Sequence, residues 1–398
     1  MARVTPQEAL QRVSSAQQQG MRLAKSKVVA EYIRDIDNNV YLYRNGSNGL
    51  ILPADDIVTP ILGIAEKADF SLELPTHVGL WLQGYADEIG DTLVVGGEPS
   101  DEPMADEIPR KDIAYMVKTT WAQKSPYNDK LIFEGKRCYA GCVAVAIAQV
   151  MYYWGKKGYR RGCMATAKYQ YSGGLVIPAT EALTKFDYAH LCTGTPKTAE
   201  EKEAVATLIE RVGKAIKSKY ATDGTSANVN YYPELAKKYL RIGTNIRLLK
   251  ATNVGVAELE KAVYNEIANG CPVVMSAAGD SNGAHAFICD GYRKSDNKFH
   301  FNFGWGGQYD GYYAFSAMNL GTNWHYNNSK TATIGIKPDY RLGDANRNGK
   351  INVTDAMTVV DHSLNGTYDE ASDINSDGKV TTEDVQPIVD HILGKERL

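Results

Sequence analysis

From Val143 to Trp154 every position but Gln149 is apolar. Three helical turns with almost no polar face belong inside a core, and Gly141 breaks the backbone just ahead. The pattern therefore predicts a buried helix starting at Cys142. Period-two alternation in Ala284-His285-Ala-Phe287-Ile-Cys289 predicts a strand with His285, Phe287 and Cys289 on one face, and Pro272-Val-Val-Met275 predicts another. Helical spacing recurs over residues 200–220 and 254–268, and from Leu80 to Ile89. Near the start, residues 6–35 are rich in Ala, Gln, Glu and Lys and predict helix. Val40-Tyr-Leu-Tyr43 and Leu50-Ile-Leu52 flank Arg44-Asn-Gly-Ser-Asn-Gly49, whose Asn and Gly residues suit a hairpin turn.

Composition divides this pattern into segments. Residues 90–109 shift to Gly, Pro, Asp and Glu, which predicts an exposed linker open to proteases, with a processing boundary within about ten residues of Arg110. After Lys337-Pro338 two loops repeat one another. They are Asp344-Ala-Asn346-Arg-Asn348-Gly-Lys350-Ile-Asn352-Val-Thr-Asp355 and Asp373-Ile-Asn375-Ser-Asp377-Gly-Lys379-Val-Thr381-Thr-Glu-Asp384. Each places oxygen ligands at loop positions 1, 3, 5, 9 and 12, a backbone carbonyl at 7 (Lys350 and Lys379) and the turning glycine at 6, as a calcium loop requires. Position 12 is Asp where an EF-hand usually has Glu. A similar apolar helix follows each copy, around Val359 and Ile388.

Length and charge set further bounds. A chain of 398 residues, 43% hydrophobic, can build two or three domains. A net charge of -3 gives no reason to expect nucleic acid, and no basic run suggests a membrane surface. The longest apolar run falls short of the roughly 20 residues of a membrane helix. Met-Ala-Arg-Val-Thr-Pro at the start has no hydrophobic signal core, so a removed signal peptide is the expectation. Six cysteines could form three disulfides, but a chain this long does not require them.

Candidate chemistry centres on Cys142. Partial positive charge and unpaired amides at a helix start favour thiolate over thiol, and the same amides can receive an oxyanion. His285 follows within the roughly 130–150 residues that separate nucleophile from base in papain-like thiol proteases. In His300-Phe-Asn302-Phe303-Gly-Trp305-Gly-Gly307 the Asn302 amide could fix the imidazole tautomer while the Trp305 indole shields that bond. Upstream, Gln123 in Trp121-Ala-Gln123-Lys-Ser-Pro-Tyr127-Asn128 offers a side-chain donor for the oxyanion.

These motifs, in this order, resemble the streptopain family of secreted bacterial cysteine proteases. The resemblance implies a zymogen with Cys142 as nucleophile, His285 as base and Gln123 in the oxyanion hole, acting on proteins or peptides without a catalytic cofactor. It also implies a secreted or cell-surface location, a propeptide that inhibits its own chain, and a hydrophobic preference two residues before the cut bond. The family usually has Trp directly after the asparagine, where this chain has Phe303. Asp55-Asp56, Pro60-Ile-Leu-Gly63 and the helix after them resemble the family's propeptide, and Gly224-Thr-Ser226-Ala227 resembles a loop near its substrate cleft. The duplicated loops resemble a type I dockerin, whose family binds calcium and docks onto cohesin modules.

The expected architecture is α+β: an α+β inhibitory propeptide over residues 1–107, a papain-like cysteine protease domain over 108–337, and a small all-α, calcium-binding, dockerin-like domain over 338–398. All five candidate catalytic residues precede Lys337, so activity is expected to survive truncation there. Three alternatives remain. Cys138, Cys142, His285 and Cys289 could be offered as zinc ligands, but residues four apart on a strand lie about 13 Å apart at roughly 3.3 Å per residue. An inactive protease fold kept as a binding scaffold is the second, and acyl transfer or peptidoglycan cleavage by the same Cys-His chemistry the third.

Overall fold

The computed structural model describes residues 3–18, 30–56, 58–95, 109–180, 183–278, 284–317, 330–375, 377–395 and 398. The chain forms two compact units, Met1–Trp121 with Arg247–Gly335, and Ala122–Ile246 with Ile336–Leu398. Most of the expected linker, residues 96–108, lies outside the described residues. Among the described residues no helix is long and apolar enough to cross a membrane.

The first unit is built on one sheet. Its strands are β1 (Glu31–Ile36), β2 (Val40–Asn45), β3 (Asn48–Pro53), β4 (Gly63–Ala65), β5 (Arg247–Lys250), β6 (Val273–Ala278), β7 (Ala284–Arg293), β8 (Lys298–Asn302), β9 (Gly311–Tyr313) and β10 (Thr331–Ile334). Their order across the sheet is β1-β2-β3-β4-β9-β8-β7-β6-β10-β5 among the described residues. The N-terminal strands thus continue the sheet of residues 247–335. The join is β4 against β9, antiparallel, with Gly311 opposite Ala65 and Tyr313 opposite Gly63. A side chain at Gly311 would meet the Ile64 carbonyl at 2.1 Å, so only glycine admits this approach.

Two expectations change here. Residues 6–35 are not one helix: the described helix spans Pro6–Gln18, residues 19–29 lie outside the described residues, and Glu31–Ile36 is β1, paired with β2 and carrying Tyr32 edge-on against Tyr41 and Tyr43. Cross-strand contact outweighs local helix preference there. The second helix spans Thr76–Val95 and takes in the first residues of the expected linker. Gly90 lets it lie close to Asn39, whose amide donates to the Ala86 carbonyl at 2.8 Å.

Helix Thr76–Val95 covers one face of the sheet. Trp81 meets Phe287 at 5.5 Å and Phe301 at 4.9 Å between ring centroids, both edge-on, at the centre of the core. Fully burying a ring such as either Phe contributes roughly 1.5–3 kcal/mol. One turn on, Tyr85 donates to the Ala314 carbonyl. Glu88 then reaches Lys330 at 2.9 Å, and its other oxygen accepts from Ser316 and from the Ala317 amide.

In the second unit, helix Cys142–Lys156 is buried along nearly its whole length, and helix Ala199–Ala215 packs against it behind a Thr198/Glu201 capping box. Ala199–Ala215 ends short of the predicted Tyr220. The C-terminal segment adds helices Val353–Leu364 and Val385–Ile392, each behind one of the duplicated loops. Its junction is part of the fold: Trp154 donates to the Ile336 carbonyl at 2.7 Å, and buried Arg161 donates to the Tyr340 carbonyl. A chain ending at Lys337 would lose the Tyr340 carbonyl, one of the acceptors of the buried Arg161 guanidinium.

Both members of the Glu88–Lys330 pair are almost completely buried, so losing one strands the other. Glu88→Ala should cost about 3–5 kcal/mol, read as a lower denaturant midpoint. Replacing both partners by Leu and Met should recover much of the loss. A single variant as stable as the parent would show that the pair does not hold the helix.

Candidate active site and calcium loops

The residues expected to act together are supplied by different units, Gln123 and Cys142 by one and His285, Asn302 and Trp305 by the other. Each unit assembles its own share.

In the second unit the Cys142 helix begins directly after Gly141, which has φ +87°. A side chain there would fall 2.8 Å from Thr225 Cγ2, so the turn before the thiol is closed to other residues. Thr225 Oγ1 donates to the Tyr139 carbonyl at 2.7 Å, and the Tyr139 amide donates to the Ala221 carbonyl. The Gly224-Thr-Ser segment is thereby a buttress of the thiol-bearing turn. From the other side, the Ala140 amide donates to the Gln123 carbonyl at 3.0 Å, and Asn128 donates to the Cys138 carbonyl at 2.8 Å.

All six cysteines are thiols. Cys142 is half-buried at a helix start. Cys138 and Cys289 are wholly buried, and burial pushes both thiols up. Against the zinc alternative, His285 and Cys289 stand four residues apart on one strand, opposite Ala277 and Val273, about 13 Å along it and too far to share one ion.

In the first unit, His285 stands on β7 opposite Ala277 and is 8% exposed. Its Nε2 lies 3.3 Å from the Phe303 carbonyl, and burial pushes its pKa down to about 3, which keeps the ring neutral. Asn302 ends β8. Its Nδ2 donates to the Thr119 carbonyl at 2.7 Å, and its Oδ1 accepts from the Gly304 amide at 3.0 Å. Phe303 is buried, with its ring 5.2 Å from Phe287 and 5.5 Å from Tyr313. The phenylalanine is thus a core residue whose backbone carbonyl meets the imidazole. Trp305 is half-buried against the same core.

Residues that sequence reasoning passed over complete this half. Asp310 accepts from the Phe303 amide at 2.7 Å and so holds the turn that faces His285; burial pushes its carboxyl up to about 7. Asp290, fully buried, accepts from the Met116 and Val117 amides and from His300, fixing the stretch of chain that leads to Thr119. A single acid, whether on a strand as Asp290 is or in a loop as Asp310 is, carries no spacing signal, so neither stood out.

The duplicated loops fold alike. Asp344 and Asp373 accept from the glycine amides of Gly349 and Gly378, while Asp355 and Asp384 each accept two amides, from Asn346 and Asn352 and from Asn375 and Thr381. All four carboxyl groups are buried. Asp at position 12 serves each loop as the N3 residue of a capping box for the next helix. Among the described residues Asp344 Oδ1 is buried without a hydrogen-bond partner, as suits an oxygen reserved for a cation. The donor set, all oxygen, fits calcium.

The profile of the Peptidase C10 family matches residues 121–313, and that of the dockerin type I domain matches residues 342–393. The chain is similar to the thiol protease/hemagglutinin PrtT of Porphyromonas gingivalis, 28% identical over 318 residues that make up 73% of this chain and 36% of that protein. It is also similar to streptopain of Streptococcus pyogenes, 24% identical over 326 residues, 76% of this chain and 81% of streptopain. It therefore spans about a third of PrtT and most of streptopain. A prointerpain A fragment from Prevotella intermedia has the same fold, with a TM-score of 0.67 at 23% identity over 77% of this chain and 98% of that one. The fold is thus α+β and papain-like. Residues 121–313 are a domain of the Peptidase C10, or streptopain, family of thiol proteases, and residues 342–393 are a dockerin type I domain.

Proposed function

We propose that the chain is the zymogen of a cysteine endopeptidase that acts outside the bacterial cell. Residues 1–107 are its inhibitory propeptide, 108–337 its protease domain and 338–398 its calcium-dependent docking domain. The observation that carries the catalytic reading is the placement of Cys142, a half-buried thiol at the first turn of a buried helix behind a glycine that no other residue can replace.

The Cys142 sulfur attacks the peptide carbonyl after giving its proton to His285. The Cys142 amide and the Gln123 side chain receive the oxyanion. The C–N bond breaks as His285 returns the proton to the leaving amine. Water, deprotonated by His285, then attacks the thioester; the C–S bond breaks and the acid and thiol are restored. Asn302 and Trp305 orient and shield the imidazole.

Latency is supported at the turn that faces His285, where the Phe303 carbonyl lies 3.3 Å from Nε2. The N-terminal segment braces this turn: the Tyr309 amide donates to Glu66, the Glu66 amide donates to Asp310, and Asp310 holds Phe303. Similarity to a pro-form, prointerpain A, supports the same reading. A tethered inhibitor acts at high effective concentration, so modest affinity suffices.

Calcium would be held by Asp344, Asn346, Asn348, the Lys350 carbonyl, Asn352 and Asp355, and by Asp373, Asn375, Asp377, the Lys379 carbonyl, Thr381 and Asp384. Bound there, it would cross-link the loop oxygens. A cohesin-like partner is supported by Val353, Met357, Val360 and Leu364, an exposed apolar row along one helix face.

Three outcomes test these roles. Processed Cys142→Ala should not digest unfolded casein, whereas Gln123→Ala should keep activity lowered about 10²–10³-fold; full digestion by Cys142→Ala overturns the mechanism. Chain nicked within residues 96–108 should cleave a small peptide and be alkylated at Cys142 faster than intact chain, and equal rates remove the inhibitor role. The third concerns pH. The folded pKa of His285 lies below its ordinary 6.5, so the stability it contributes is present above that value and lost as pH falls toward 3. Asp310 acts oppositely, contributing below about pH 4 and losing that contribution as pH rises through 7. In an intact Cys142→Ala background, His285→Gln should therefore flatten the acid-side fall in Tm, and an unchanged profile would contradict the buried neutral imidazole.

A further inference from the structure

The dockerin domain is seated on its neighbours through a small set of polar contacts within the second unit. Arg161, 6% exposed, donates to three carbonyls, those of Arg160 at 2.9 Å, Arg241 at 3.2 Å and Tyr340, and its guanidinium lies 4.1 Å from the centre of the Tyr340 ring. The Tyr340 hydroxyl donates to Glu370. Arg241 stands 3.8 Å from the other Glu370 oxygen, and Thr244 is held by Asp339 at 2.8 Å. Two residues of the protease domain thus meet the dockerin side at one tyrosine and one glutamate.

That glutamate sits at the entrance of the second calcium loop. Asp369 accepts from the Ala371 and Ser372 amides, the Asp373 amide donates to the Asp369 carbonyl, and Gly343 donates to the Ala371 carbonyl. The segment from Glu370 to Asp373 is therefore a fixed turn, and Tyr368 donates to Asp373 itself at 3.2 Å. A cavity of about 360 Å³ runs along the seam, lined by Arg160, Lys185 and Arg241 from one side and by Tyr340, Ile374 and Asn375 from the other. The lining contains no ligand position of the first loop.

We propose that the second calcium loop and this seam are one coupled unit. Calcium on residues 373–384 fixes Asp373, through it Glu370 and Tyr340, and so the Arg161 and Arg241 segments of the protease domain. By reciprocity the intact seam tightens calcium binding at that loop by the same factor. The coupling rests on the calcium reading of the loops, and it adds that calcium stabilises the protease backbone around Arg161 and Arg241.

The test uses the full chain with Cys142→Ala to prevent self-cleavage. Calcium titration by calorimetry is combined with hydrogen exchange at the amides of residues 160–163 and 241–244. The parent should bind two ions, and calcium should slow exchange at both segments. Asp373→Ala should abolish that protection, whereas Asp344→Ala should lose one ion and keep it. Glu370→Ala, or Tyr340→Phe should the first variant fold poorly, should weaken one of the two sites by about 5- to 150-fold and leave the other unchanged. No calcium uptake by the parent overturns the calcium reading itself. Two ions bound with exchange at the seam unmoved, or parental affinity at both sites in the Glu370 and Tyr340 variants, overturns the coupling alone.

Discussion

A charge taken out of water must find a partner, and this rule orders much of the molecule. Glu88 finds Lys330, which fastens the N-terminal helix to the last part of the sheet unit. Asp290 collects two amides and a histidine and so sets the course of the chain toward Thr119. Arg161 is surrounded by carbonyls from three places in the sequence. Each such group is costly alone and nearly neutral when satisfied, so each fixes one arrangement of the segments around it.

The same rule sorts groups of one chemical kind. Three of the cysteines discussed lie on or beside the same motifs, yet only Cys142 combines partial exposure with a helix start; Cys138 and Cys289 are sunk where ionisation is opposed. His285, likewise, is kept by burial in its neutral, proton-accepting form. Residue identity supplies a capacity, and burial decides whether it is in use.

What could be read from the sequence was what local spacing records. The Cys142 helix followed from an apolar run behind a glycine, the His285 strand from alternation, and the duplicated loops from oxygen side chains at fixed intervals. Strand β1 was missed because its order comes from β2 and from the Tyr41 and Tyr43 rings, not from its own composition. Thr225, Asp310 and the Arg161–Tyr340 contact were invisible for a related reason. Their partners are remote in sequence, and nothing in a lone threonine, aspartate or arginine names the distant carbonyl or amide it will meet. Phe303 was noticed as a departure, but only its packing against Phe287 and Tyr313 shows that the ring serves the core.

The continuous sheet has a consequence under the proposed processing, which would take the N-terminal strands away. Without β1 to β4, strand β9 changes from an interior strand to an edge, with open amides and carbonyls that invite another chain. Its shortness limits the hazard: β9 covers only Gly311–Tyr313, and its first residue is the glycine that had allowed the closest approach. Three residues are a poor template for further pairing. The contact that completes the sheet in the intact chain is thus confined to a stretch too brief to leave an adhesive border behind it.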